Sequence, residues 1–444
     1  MDCTDARLCL CQVCMIGGQM SVKKIIKNNN ETKVCKCCGR ELPLNEFNFM
    51  YGKNYVNTCK ECVSKKQQDS RKKANYEKGL QQYLVDDSMH IQRQYKKINK
   101  DRILRKKISG IDFCAKNEKF VRLMYYKDAW ISNYGRCIVF EDGEYKLLRG
   151  SIDKWAGDIV YTLRKERYIK YTQTYAYKKV KVTGNSLVVE NFIVNYDMAN
   201  NTRIWHLNND ISDGYYMHLY PVTEKQYERL TELQDKSSEL LSEDMIMDVI
   251  NAVEYKQDGW NPWYYHRGLC GVGYSGCDDV DYTSSSYYKW KNMVQRCYDK
   301  KVHKKYKPEY KDKSVCEEWL NYSNFRIWFD EHYVPSKNNQ IDLDKDLLVQ
   351  GNKVYSPETC VFLVHCQNTM FEGRDDCIYE NEDGTYCVDK KKSYTYDTYE
   401  EALEVVVARR QEKIQNRAEK CKGSIPMCAY EAMQRWDVRL AMCS

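Results

Sequence analysis

Two cysteine pairs constrain this chain of 444 residues more than any other feature: Cys35-x2-Cys38 and, twenty residues on, Cys59-x2-Cys62. Pairs at that spacing predict one tetrahedral metal site of the zinc-ribbon kind, because each pair presents two thiolates from a single tight turn. Gly39, directly after Cys38, relieves the first turn. Four thiolates satisfy a zinc ion and leave no open position, so the expected role is structural. A segment this short has little core of its own and depends on the ion to fold. Cys37 lies inside the first pair and is read as a spare thiol.

The chain holds 22 cysteines in all. Its first residues, MDCTDARLCLCQVC, carry acid early and have no long apolar core, unlike a secretion signal. The thiols are therefore expected to stay reduced or to bind metal, in the cytoplasm of a bacterial host cell. Cys3, Cys9, Cys11 and Cys14 fall in an unassigned extension, residues 1–19, where Cys11-x2-Cys14 is a single pair and defines no site. No stretch approaches the roughly 20 apolar residues of a membrane span, so no membrane partner is expected. The 38 tyrosines suit half-wet contact surfaces such as nucleic acid, although codon usage in an AT-rich genome explains them equally well.

Charge is unevenly placed. The net charge is +7, yet residues 63–107 alone hold 14 Lys/Arg against 5 Asp/Glu. Everything else is close to neutral. Lys65, Lys66, Arg71, Lys72 and Lys73 form a dense run directly after the second cysteine pair. Such a concentration predicts contact with a polyanion; the alternative is a solvated linker helix.

Pattern divides the rest of the chain. Residues 20–66 hold the zinc ribbon and 67–120 read as a basic helical linker. Residues 121–230 are rich in Tyr, Val and Ile and read as short strands, with Ser132-Asn-Tyr-Gly-Arg136 as a turn between two of them. Residues 231–258 read as an amphipathic linker helix. In 259–375, Tyr287, Trp290, Met293, Val294, Cys297 and Tyr298 fall on one helical face, and Val315 to Trp328 reads as a second helical stretch. Residues 341–371 then run strand, turn, strand, helix. In 376–444, Asp383-Gly384 marks a hairpin and Thr398-x-x-Glu401 is a capping box opening a helix over about 399–419.

Ser132 to Arg136, preceded by Trp130, resembles the motif that accompanies the nuclease module of phage HNH homing endonucleases, where it begins a segment that tracks DNA. Asn191-Phe-Ile-Val, Ile204-Trp-His-Leu-Asn-Asn-Asp and His218-Leu-Tyr-Pro-Val-Thr resemble that family's ββα-metal core. The resemblance places His206 at the general-base position and Trp205 where an aspartate would hold the metal. His218 replaces the central asparagine, and Tyr227 falls near the helix ligand. This first module reads as degenerate. Tyr287 to Phe371 resembles a second variety of HNH protein, through KWKNMVQRCYDK, SVCEEWLNYSNFRIWF and LDKDLLVQGNKVYSPETC. There Asp344 matches the metal aspartate, Lys345 stands where the base histidine would be, Thr359 replaces the asparagine and Asn368 matches the helix ligand. Residues 376–419 resemble an AP2-like DNA-binding module in outline.

The fold class these features imply is α+β and multidomain: a zinc ribbon, two ββα-metal (HNH-like) modules, and a small C-terminal sheet with helices. The function they imply is metal-dependent hydrolysis of duplex DNA, with structural zinc at Cys35, Cys38, Cys59 and Cys62. Magnesium or a similar cation is expected at Asp344 and Asn368, and DNA contacts at Lys65, Lys66, Arg71, Lys72, Lys73 and Arg136. Asp344, Lys345, Asn368, His206 and His218 are the candidate catalytic residues. A carboxylate with an amide oxygen suits a hard cation, whereas lysine is a poor base at neutral pH unless strongly desolvated. Two alternatives stand beside this: a DNA-binding protein built from decayed nuclease modules, and a phage factor that binds a host protein.

Overall fold

The computed structural model describes residues 31–50, 54–104, 111, 116–154, 157–305, 310–371, 378–388 and 394–442. The extension with Cys3, Cys9, Cys11 and Cys14 lies outside them. Packing divides the chain into two units, Met1–Asn75 and Tyr76–Ser444.

In the first unit, Thr32–Val34 pairs antiparallel with Glu41–Pro43, and the first cysteine pair occupies the turn between them. Gly39 takes φ +69° there, as a tight thiolate turn requires. Phe47–Phe49 pairs with Tyr55–Cys59, setting Phe47 opposite Cys59. The helix Lys60–Val85 starts at once, so Cys62 comes from its first turn. Among the described residues only Cys35, Phe47 and Cys59 are buried in this cluster, a small apolar core. Along the helix, residues 64–74 are exposed on every side. At 3.6 residues per turn, Lys65, Lys66, Lys72 and Lys73 share about one third of its circumference.

The second unit contains the far end of that helix, where Gly79 and Tyr83 are buried. A Cβ on Gly79 would meet the Trp263 nitrogen at 2.9 Å, so only glycine permits the approach. The basic helix expected over 67–120 stops at Val85, and residues 86–104 contain only single 3-10 turns. Three of their cations point inward instead. The Arg93 guanidinium lies 3.8 Å from the Tyr220 ring and donates to the Leu219 carbonyl. Lys96 is held between Glu318 (2.8 Å) and Glu358 (2.9 Å), and Arg102 donates to Asn191 and to the Arg122 carbonyl. Much of the basic charge after residue 90 therefore holds this unit together.

Phe120–Arg122, Ala129–Ser132, Cys137–Glu141 and Glu144–Leu147 form an antiparallel four-stranded sheet in chain order. The long hairpin Ile159–Ile169/Thr174–Thr183 follows, then the helix Gly184–Phe192. One core joins them through Val121, Ile131, Leu163, Leu187 and Phe192. The Ser132–Arg136 turn is the expected one. Ser132 Oγ accepts from the amides of Tyr134 and Arg136, and Gly135 has φ +78°. A Cβ on Gly135 would lie 2.9 Å from the Gly214 Cα, so this turn is pressed against the 207–218 loop.

Arg203–His206 pairs antiparallel with Leu219–Val222, and Glu224–Lys236 follows under a Thr223/Gln226 capping box. The linker helix expected over 231–258 is in fact the end of that helix plus a second one, Glu243–Asn251, capped by Ser242. Neither is a free linker: Leu230, Leu241, Ile246 and Val249 pack on Trp205 and Tyr220 of the hairpin.

Ser285–Tyr298 buries Trp290, Met293, Val294 and Cys297, the expected face. The second helical stretch is split at Asn321 into Glu317–Leu320 and Tyr322–His332. Ile341–Asp344 pairs antiparallel with Val361–Val364, and the short helix His365–Asn368 follows at once. The two faces of this hairpin enter different cores. Ile341, Leu343 and Phe362 join the Trp- and Phe-rich helices, whereas Val361 and Leu363 join Ile414, Ala418, Met433 and Trp436 of the C-terminal helices. Those helices are Tyr399–Cys421, opened by the expected Thr398/Glu401 box, Met427–Arg435 and Val438–Met442. Before them, Tyr379–Glu380, Tyr386–Cys387 and Thr395–Tyr396 make a three-stranded antiparallel sheet. Among the described residues, no helix is long and apolar enough to cross a membrane.

Candidate functional site

The four thiols converge as their spacing predicts. The sulfurs of Cys35, Cys38, Cys59 and Cys62 all lie within 4.8 Å of one another. Cys35 and Cys62 are 3.9 Å apart, and Cys38 and Cys59 4.0 Å. Disulfides need about 2.05 Å. A tetrahedron with zinc–sulfur bonds of about 2.3 Å has sulfur–sulfur edges near 3.8 Å, which matches. The surrounding donors favour thiolates at Cys35 and Cys38, whereas the Cys59 thiol and burial push Cys62 up: Cys35 Sγ accepts from the amides of Cys37 and Cys59, and Cys38 Sγ from Arg40 Nε. The Cys59 amide above all holds Cys35 down to about 6, and Arg40 lowers Cys38. Cys37 is exposed. Four close thiols able to hold a structural metal such as zinc are therefore present. Among the described residues they are the one such group of three or more Cys, His, Asp or Glu.

The two hairpins of the second unit share one plan. In each, four residues pair antiparallel with four, and a helix follows directly or after one residue. His206 ends the first strand of one, opposite Leu219; Asp344 ends the first strand of the other, opposite Val361.

His206 is buried, and its Nε2 lies 3.0 Å from Asn185 Nδ2. Burial depresses its pKa to about 4, so the ring is neutral at pH 7. Asn185 Nδ2 also donates to the Ile211 carbonyl, which fixes the amide orientation and makes His206 Nε2 an acceptor. That lone pair is already used. Trp205 is buried against the Tyr227 ring at 5.7 Å. His218 Nδ1 sits 2.6 Å from Asp213 Oδ2, which also accepts from Asn208.

In the second hairpin Asp344 is buried. Its Oδ1 accepts from the amides of Asp346 (2.9 Å) and Leu347 (2.6 Å), so the carboxylate also ties its own turn. Burial first, and the charge of Asp346 second, raise it to about 6. Lys345 is buried beside the Tyr310 and Tyr355 rings and paired with Asp346 at 2.5 Å. Thr359 donates to the Val354 carbonyl and meets Ser356. Among the described residues, buried Asn368 Oδ1 has no hydrogen-bond partner, a carbonyl oxygen that can receive a cation or a donor. No hydrogen bond links Asp344, Lys345, Thr359 and Asn368 to one another among the described residues.

The DNA-contact candidates divide in two. Lys65, Lys66, Arg71, Lys72 and Lys73 are exposed on the first helix. Arg136 forks onto the buried carboxylate of Glu118, with Nε to Oε1 at 3.0 Å, and so anchors its turn. Sequence reasoning missed His365, whose Nδ1 is 2.6 Å from Asp342 Oδ2. The available signal was a histidine directly after a strand, three residues before Asn368. No protein-family model, curated protein or solved structure matches this chain.

Proposed function

We propose that this protein binds duplex DNA and hydrolyses its phosphodiester backbone, in the manner of the phage HNH homing endonucleases it resembles. The observation that carries the reading is the repeated strand–strand–helix plan, with a histidine at the inner end of one first strand and an aspartate at the inner end of the other. Ile204 to His206 and Leu219 to Val222 supply the strands of the first hairpin, and Leu343-Asp344 and Val361 to Val364 lie in the second. Zinc at the four thiols would fix the small N-terminal unit, whose described residues bury only Cys35, Phe47 and Cys59. The exposed lysines of the adjoining helix would supply phosphate contacts.

The second hairpin is the better catalytic candidate. Asp344 and Asn368 offer oxygen donors of the kind a hard divalent cation takes, and among the described residues the Asn368 oxygen has no hydrogen-bond partner. A cation bound there would stabilise the charge that develops on the phosphate. Lys345 is engaged in an ion pair with Asp346.

A second reading, binding without cleavage, is favoured by the state of the first hairpin, where Asn185 occupies His206 Nε2 and Trp205 replaces a ligand. Incubation of the full-length protein with supercoiled plasmid and phage-genome DNA, with and without Mg²⁺, decides between the two. Metal-dependent nicking supports hydrolysis; DNA retention without nicking supports binding alone.

A further inference from the structure

The second hairpin carries an imidazole placed for chemistry. His365 directly follows Val361–Val364, and its amide donates to the Gln340 carbonyl at 2.9 Å, extending the hairpin by one pair. Asp342 stands opposite Leu363, and residues two apart on a strand share a face, so Asp342 and His365 meet diagonally across the hairpin. His365 Nδ1 lies 2.6 Å from Asp342 Oδ2, and Gln340 Nε2 holds Asp342 Oδ1 at 2.9 Å. A carboxylate against Nδ1 keeps the proton there and leaves Nε2 with a free lone pair. The imidazole is 55% exposed and the carboxylate only 18%, so the ring is open to a large substrate while its anchor is covered.

Two further observations point the same way. Lys289, on Ser285–Tyr298, donates from Nζ to the carbonyl of Ile341, next to Asp342, and Arg296 lies two turns on along the same helix face. Asn368, with its unpartnered oxygen, is three residues from His365 on the same short helix. The His218–Asp213 pair has the same 2.6 Å contact, but it shares its loop with Asp210, an anion that repels phosphate.

We propose that His365 is the general base of the second hairpin, held in position by Asp342, and that Lys289 and Arg296 receive the phosphodiester beside it. The inference rests on the hydrolytic reading above. His365 Nε2 takes a proton from water as the water oxygen bonds to phosphorus. The bond from phosphorus to the leaving ester oxygen breaks, and the imidazolium returns its proton to that oxygen. The products are a phosphomonoester and an alcohol.

The test uses the full-length protein with Mg²⁺ on two substrates, supercoiled plasmid and bis(p-nitrophenyl) phosphate. His365→Asn keeps a side-chain N–H toward Asp342 but removes the base. Its rates should fall by about a hundredfold or more on both substrates with DNA affinity unchanged. His266→Asn, at another exposed histidine, should match the parent. Free imidazole should restore part of the activity of His365→Gly. Independently of activity, long-range ¹H–¹⁵N spectra should show the Nδ1–H tautomer at His365, lost in Asp342→Asn. With seven histidines in the chain, assignment by substitution is practical. If the parent nicks DNA and His365→Asn stays within twofold of it, this inference fails while the hydrolytic reading stands. An Nε2–H tautomer at His365 also overturns it. A parent that hydrolyses neither substrate overturns both.

Discussion

Replacing Glu166 with glutamine should hold the C-terminal helices more firmly as pH rises. Glu166 lies within the Ile159–Ile169 strand, is buried, and accepts the Met427 amide at 2.6 Å, at the first residue of Met427–Arg435. Burial is the largest influence on it; Glu431 adds to the shift, the Met427 amide opposes it, and the net value is about 7. The ordinary value is about 4.3. A carboxyl whose folded pKa is raised contributes stability that is full below about 4.5 and lost as pH climbs through about 7. A difference of roughly 2.5 units at about 1.36 kcal/mol each gives an upper bound of about 3 kcal/mol. Glutamine keeps the acceptor oxygen and cannot ionise. Hydrogen exchange of peptides spanning residues 427–435, compared at pH 5 and pH 8 after correction for intrinsic rates, reads this directly. The parent should lose protection on the order of a hundredfold, and Glu166→Gln far less. Equal losses in both proteins would refute the reasoning, because the pH dependence would then come from another group.

Three further outcomes follow from the geometry. Metal analysis of a Cys59→Ser, Cys62→Ser variant should show one zinc ion fewer per chain, with loss of order in the first unit; unchanged zinc would place the ion elsewhere. Replacing Lys65, Lys66, Arg71, Lys72 and Lys73 with glutamine should weaken DNA binding and flatten its log–log salt slope by about 0.9 per lost phosphate contact, while an unchanged slope would make the helix a plain connector. Gly135→Ala should destabilise the second unit by on the order of 1–3 kcal/mol, since it meets both a left-handed φ and the Gly214 backbone; a midpoint equal to the parent's in urea would show that the turn moves freely.

What the sequence made legible was local. The thiol spacing, the Ser132–Arg136 turn, the buried face of Ser285–Tyr298 and the Thr398/Glu401 box each depend on residues a few positions apart. Elements fixed by distant partners were not legible. The basic stretch beyond Val85 reads as helix until Lys96 is seen between Glu318 and Glu358, more than 200 residues away. The 231–258 segment reads as a linker until its two helices are seen on Trp205 and Tyr220. At the candidate site, Asp344 drew attention through a short local motif, but the His365–Asp342 contact depends on strand register across 23 residues. Arg136 read as a groove contact because Glu118, its buried partner, carries no sign of its burial in the sequence.

The most direct measurement of the central claim is a nicking assay on supercoiled DNA with Mg²⁺, comparing the parent with Asp344→Ala and His206→Ala. Slow cleavage by the parent, abolished by Asp344→Ala and nearly intact in His206→Ala, with DNA binding retained by both variants, is the expected result. Loss of cleavage in His206→Ala with Asp344→Ala still active would contradict the account and move the chemistry to the first hairpin.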